Sequence, residues 1–131
     1  MKKIALSLIA LAGMALVSGP SIARDRLTGQ ERLARMLEGR VAGKPQSCVN
    51  TRVYSDSQII DGTALVYGHG KTIWVNIPAN PEDLRRHDIL LVRQFGPELC
   101  RQDIVTLLDN ASGIFKGSIS LGDFVPYTRV K

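Results

Sequence analysis

The chain has 131 residues, 44% hydrophobic and 5% aromatic, with 17 Lys and Arg against 12 Asp and Glu; that length suits one domain with a modest core. Its formal charge of +5 is unevenly placed: Lys2 and Lys3 open the chain, residues 24–44 hold a net of +3, and residues 45–131 are balanced. A neutral body with few aromatics argues against nucleic acid as a partner, because that function calls for a basic stripe across the domain.

Lys2-Lys3 precede an apolar run from Ile4 to Val17, followed by the helix breakers Ser18-Gly19-Pro20. Ser21 and Ala23 then stand three and one positions before Arg24, the layout of a cleaved secretory signal peptide. The apolar run is short for a membrane span, which needs about 20 residues, and no Cys follows it to carry a lipid. The expectation is an exported, periplasmic protein in which residues 1–23 are the signal peptide and residues 24–131 form a single β-rich domain.

Thr28-Gly29-Gln30-Glu31 fits a capping box, and Leu33, Met36, Leu37 and Val41 follow at helical spacing. This predicts an amphipathic helix over about 28–39, stopped at Gly39, with an apolar stripe to bury. Its cations, within the basic segment 24–44, form either an ordinary solvated face or a weak docking surface for anionic lipid or polysaccharide at an envelope surface. From Cys48 onward the signals are for strands. Ser47–Val53 alternates loosely, Gln58-Ile59-Ile60 leads to the tight-turn pair Asp61-Gly62, and Thr63–Tyr67 and Thr72–Asn76 flank Gly68-His69-Gly70-Lys71 as a hairpin. After a break at Pro78, Asn80 and Pro81, the apolar runs Asp88–Val92 and Ile104–Leu108 read as strands buried on both faces, or as a central strand under a helix. Lys116–Leu121 alternates, and Phe124, Val125 and Tyr127 pin the C-terminus to the core. The fold class is therefore α+β: one N-terminal amphipathic helix on a mainly antiparallel sheet of six to seven strands, sandwich-like or a partly open barrel.

Few residues offer chemistry. Cys48 and Cys100 are the only cysteines, and in an oxidising compartment an even pair is most simply one disulfide. No C-x-x-C pair is present for thiol exchange. Gly70-Lys71-Thr72 resembles the tail of a phosphate loop, but Leu65 occupies the required upstream Gly position and a strand follows where a helix is needed. His69 sits between glycines on a turn tip, and His87 adjoins Asp88, whose side chain would point to the opposite strand face. No set of Cys and His has zinc-ligand spacing. There is no G-x-S-x-G elbow, and the mutual placement of Asp61, Asp103, Asp109 and Asp123 is not fixed by sequence. Trp74 and Tyr67 lie on the hairpin; Trp74 is read as a core aromatic, with stacking on a sugar or partner as the alternative. Asn110-Ala111-Ser112 matches a glycosylation sequon. These observations assign no catalytic residue, cofactor or metal.

The leader, Cys48-Val49, Ile60–Val66, Leu99-Cys100-Arg101-Gln102-Asp103-Ile104 and Gly117–Phe124 resemble a family of small exported proteobacterial proteins with no assigned activity. The resemblance covers most of the exported domain and implies a Cys-framed, β-rich periplasmic fold, with no active site to carry over. Members often have further cysteines near the positions held here by Ile77 and Ile119. The functional expectation is a non-catalytic exported domain stabilised by the Cys48–Cys100 disulfide, binding an envelope protein or glycan. The alternative is a small periplasmic hydrolase or lyase whose histidine and acids converge only in the fold. Oligomeric state is not readable from the sequence.

Overall fold

The structure, a computed structural model, describes Gly19 and residues 26–131. The expected signal peptide and its cleavage site, Gly19 apart, lie outside the described residues. Helix α1 (Gly29–Leu37) starts as the capping box dictates: Thr28 Oγ1 accepts from the Glu31 N–H at 3.2 Å, and the Glu31 carboxylate accepts from the Thr28 N–H at 2.8 Å. Two of the four orphan amides of the helix end are thereby satisfied.

Ten strands follow among the described residues: β1 (Arg40–Ala42), β2 (Cys48–Asn50), β3 (Ser57–Ile60), β4 (Ala64–Tyr67), β5 (Thr72–Asn76), β6 (Ile89–Val92), β7 (Glu98–Cys100), β8 (Ile104–Leu108), β9 (Phe115–Ser120) and β10 (Phe124–Arg129). All pairings are antiparallel. They make a five-stranded sheet β1-β10-β5-β4-β3, a ribbon β2-β7 and a three-stranded sheet β6-β8-β9, and no sheet closes into a barrel. The α+β, antiparallel expectation holds, while the single sheet of six or seven strands becomes ten strands in three sheets. The added strands are β1, β7 and β10. Two are only three residues long, and β10 contains Pro126, which reads as a strand breaker. Pro126 has no N–H to return to Gly43, whose own N–H donates to the Pro126 carbonyl at 2.7 Å, and β1 ends at Ala42 beside this one-sided contact.

The inner strands β4 and β5 of the five-stranded sheet are buried on both sides. Ile59, Leu65, Tyr67, Trp74 and Phe124 face a core shared with Val49, Leu84, Leu99, Val105, Leu107 and Ile119 of the opposing strands and loops. Ile60, Ala64, Val66, Ile73 and Val75 face the other way and are covered by Leu33, Met36 and Leu37 of α1. The layers run helix, large sheet, small sheets. Every β4 residue is buried, as period-two alternation between two cores requires. Each full burial of such a side chain contributes about 1.5–3 kcal/mol before entropy is counted.

The apolar runs 88–92 and 104–108 read as strands buried on both faces or as a central strand under a helix, and the structure differs from both: β8 is central in its sheet, but α1 packs on the large sheet instead. Ile89, Leu91 and Ile104 are exposed, Ile104 by 67%. The only helix among the described residues longer than one turn lies on the large sheet, so no described element covers the outer face of β6-β8-β9. The charged stretch after Pro81 forms a single 3₁₀ turn, Pro81–Asp83.

Candidate functional site

At the open side of the sandwich, the terminal strand of the large sheet, β3, meets the terminal strand of the small one, β6. Between them runs a groove of about 330 Å³ lined by Ser57, Gln58 and Ile59 of β3, Asp88 and Leu90, and two arginines, Arg32 of α1 and Arg86. Arg26, Leu27 and Asp61 extend it around the N-terminus of the helix. Neither strand pairs with another strand along its groove-facing edge among the described residues.

Local chemistry holds this site open. The Asp61-Gly62 turn, with Gly62 at φ 59° and the Thr63 N–H donating to the Ile60 carbonyl at 3.0 Å, anchors the 84–88 segment. Asp61 accepts from the Arg86 backbone N–H at 2.5 Å and stands 3.6 Å from Arg86 Nε, and the Gly62 N–H donates to the Leu84 carbonyl at 3.0 Å. Lys116 donates to both Asp88 oxygens at 2.7 and 2.9 Å, so the carboxylate that lines the groove is already compensated. Arg26 and Arg32 form no ion pair among the described residues. The groove therefore favours a negatively charged guest.

The cations of segment 24–44 split in the fold. Arg40 is structural: its guanidinium donates to the carbonyls of Met36, Lys71 and Gly70 at 3.1, 2.9 and 2.8 Å, tying the helix end to the β4–β5 turn. Arg32 belongs to the groove. The charge count exposed the basic segment but could not separate these roles.

The other sequence candidates do not come together. His69 stands exposed on its turn with Nδ1 against Asp56. The exposed His87 accepts at Nε2 from Arg86 Nε at 3.1 Å. Each aspartate is engaged locally. Asp61 holds Arg86; Asp103 accepts from the Cys100 N–H at 2.8 Å; Asp109 accepts from the N–H groups of Ala111 and Ser112 at 3.0 and 2.8 Å; Asp123 pairs with Arg101 at 3.0 Å. Gly70-Lys71-Thr72 leads into strand β5, which leaves no helix N-terminus for a phosphate. Trp74 is a core residue, 8% exposed, with the Tyr54 ring edge-on at 5.7 Å; its buried indole N–H has no partner among the described residues. Tyr67 is also buried, edge-on to Phe124 at 5.9 Å.

Cys48 and Cys100 form a disulfide directly across the β2-β7 ribbon, with Cα atoms 4.0 Å apart. With Glu98 they are the one cluster of potential metal ligands among the described residues, but both sulfurs are committed to each other. The outer face of β6-β8-β9 is a second surface feature, where Ile89, Leu91, Ile104 and Phe115 are exposed beside Arg93 and Asp103. No helix among the described residues is long and apolar enough to cross a membrane. Comparison with protein-family models, curated proteins and solved structures gives no match.

Proposed function

We propose that this protein is an exported, non-catalytic binding domain of the bacterial envelope, held together by its disulfide, and that the arginine-lined groove between β3 and β6 receives its partner. The groove carries the reading: it places Arg26, Arg32 and Arg86 around two unpaired sheet edges. The disulfide is compatible with an oxidising, exported compartment and with the leader. The resemblance to small exported proteobacterial proteins supports the same periplasmic placement. Weak attraction of the basic segment to anionic lipid is a secondary contribution, screened by salt.

A hydrolase or lyase would need a histidine and two carboxylates around one cavity. His69 and His87 instead sit on exposed turns with Asp56 and Arg86, and the four aspartates serve separate local contacts. The binding reading accounts for more of the surface.

Photo-crosslinking in intact cells tests it. A photoreactive residue at Gln58, in the groove, is expected to trap a discrete envelope species, and one at the exposed Val41, on β1 at the opposite edge of the five-stranded sheet from β3, is not. Equal or absent crosslinking at the two positions contradicts the proposal.

A further inference from the structure

The geometry points to an extended peptide segment with alternating acidic and apolar side chains as the guest, added as a new strand along the free edge of β3. This inference rests on the groove being the binding site and specifies what enters it.

Strand addition needs backbone groups that face outward. The Gly68 N–H donates to the Asp56 carbonyl at 2.8 Å, and the register continues through Gln58↔Val66 and Ile60↔Ala64. Ladder bonds in an antiparallel pair fall on alternate residues. Those of β3 therefore fall on Asp56, Gln58 and Ile60, which turns the N–H and C=O of Ser57 and Ile59 away from β4 and into the groove. Two donors and two acceptors, spaced two residues apart, await a partner strand there.

The walls specify the side chains of that strand. On one face of the large sheet lies α1, which brings Arg32; on the other lie Leu90 and the sandwich core that includes Ile59. An added strand projects successive side chains to these two faces in turn. Acidic residues would meet Arg32 and the neighbouring Arg26, neither of which is in an ion pair among the described residues, while apolar residues would seat on Leu90. The free edge of β9 offers no comparable site: Asn80 already covers it, donating to the Ser118 carbonyl at 3.0 Å and accepting from the Ser120 N–H at 3.2 Å.

The test uses the disulfide-bonded exported chain and two synthetic eight-residue peptides, one alternating valine with glutamate and the other alternating valine with lysine. Fluorescence anisotropy reads affinity, and amide hydrogen exchange reads the edge. The glutamate peptide is expected to bind at least tenfold more tightly than the lysine peptide and to slow exchange at Ser57 and Ile59. The paired substitutions Arg26→Glu and Arg32→Glu should remove that preference. Ser57→Pro, which deletes an outward donor without deleting a ladder bond, should weaken binding of the glutamate peptide. Charge-dependent binding with no protection at Ser57 or Ile59 would overturn strand addition while leaving the groove as an anion-selective binding site. Equal affinity for the two peptides would overturn the inference as well. Failure of the groove reading itself is seen separately, as the loss of Gln58 crosslinks in cells.

Discussion

A Cβ placed on Gly29, the first residue of α1, would stand 2.2 Å from the Asp61 carbonyl oxygen, and equally close to Thr63 Oγ1. The helix is pressed against the turn that holds the groove, and glycine is what allows the approach. Gly29→Ala must push helix and turn apart. It should cost about 1–3 kcal/mol, as overpacking typically does, in urea unfolding at neutral pH. It should also weaken binding at the groove, because Arg32 rides on the displaced helix. Gln30→Ala, next along and exposed, should be nearly neutral.

Asn76 is fully buried in the large sheet, and its amide exchanges two hydrogen bonds with the backbone of Gly122: Nδ2 donates to the carbonyl at 2.7 Å, and Oδ1 accepts from the N–H at 3.0 Å. The side chain acts as a piece of strand for the β9–β10 link. Asn76→Ala leaves both Gly122 groups without partners and should destabilise by about 1–3 kcal/mol. Chemical denaturation measures this directly, and groove binding at temperatures where the variant stays folded should be unchanged.

The disulfide closes a loop between residues 52 apart in sequence. Chain entropy removed from the unfolded state by a link of that span is worth about 4 kcal/mol. Replacing Cys48 and Cys100 together with serine should lower stability by about 2–5 kcal/mol and release the β2-β7 ribbon from its fixed register. Loss of exchange protection at Val49 and Leu99, ahead of the large sheet, is the accompanying signature.

Stability should fall at both ends of the pH scale. Burial pushes the Tyr67 phenol from 10.0 up to about 12. Below pH 10 it is neutral folded or unfolded and adds no pH dependence; above that, the unfolded chain loses the proton while the folded protein keeps it. Stability therefore declines between about pH 10 and 12, by about 2–3 kcal/mol in total, and Tyr67→Phe should remove the decline. At the acid end, backbone and side-chain hydrogen bonds from Thr28 lower Glu31, and those from Ser112, with Ala111, lower Asp109. Depressed carboxylates stabilise above their unfolded values, and that contribution disappears as pH falls through the carboxylate range. Urea titrations across pH check both arms.

Much of the local structure was legible. Thr28 and Glu31 specified the helix start through reciprocal hydrogen bonds, and Asp61-Gly62 and Gly68–Lys71 specified two hairpins, because these signals act over a few residues. Layer assignment was not legible. The apolar runs at Ile89–Val92 and Ile104–Leu108 read as doubly buried, yet helix α1 chose the sheet containing Ala64 and Val66, and only tertiary packing decides between two suitable sheets. Pro126 hid β10, because its missing N–H matters only on the β1 side and β10 pairs with β5 throughout its register. The groove was hidden for a similar reason. Arg32, Ser57 and Leu90 belong to three separate elements, and no sequence spacing joins them; the charge excess in residues 24–44 was the one signal that pointed toward it.

The proposed envelope role requires that the leader be removed on export and that Cys48 and Cys100 be joined where the protein works. Intact-mass spectrometry of the native protein recovered from its cells, kept under non-reducing conditions with free thiols alkylated, tests that directly. The predicted species begins at Arg24, weighs two hydrogens less than its reduced form and takes up no alkylating agent. A chain that retains residues 1–23 and carries alkyl groups on both Cys48 and Cys100 would contradict it.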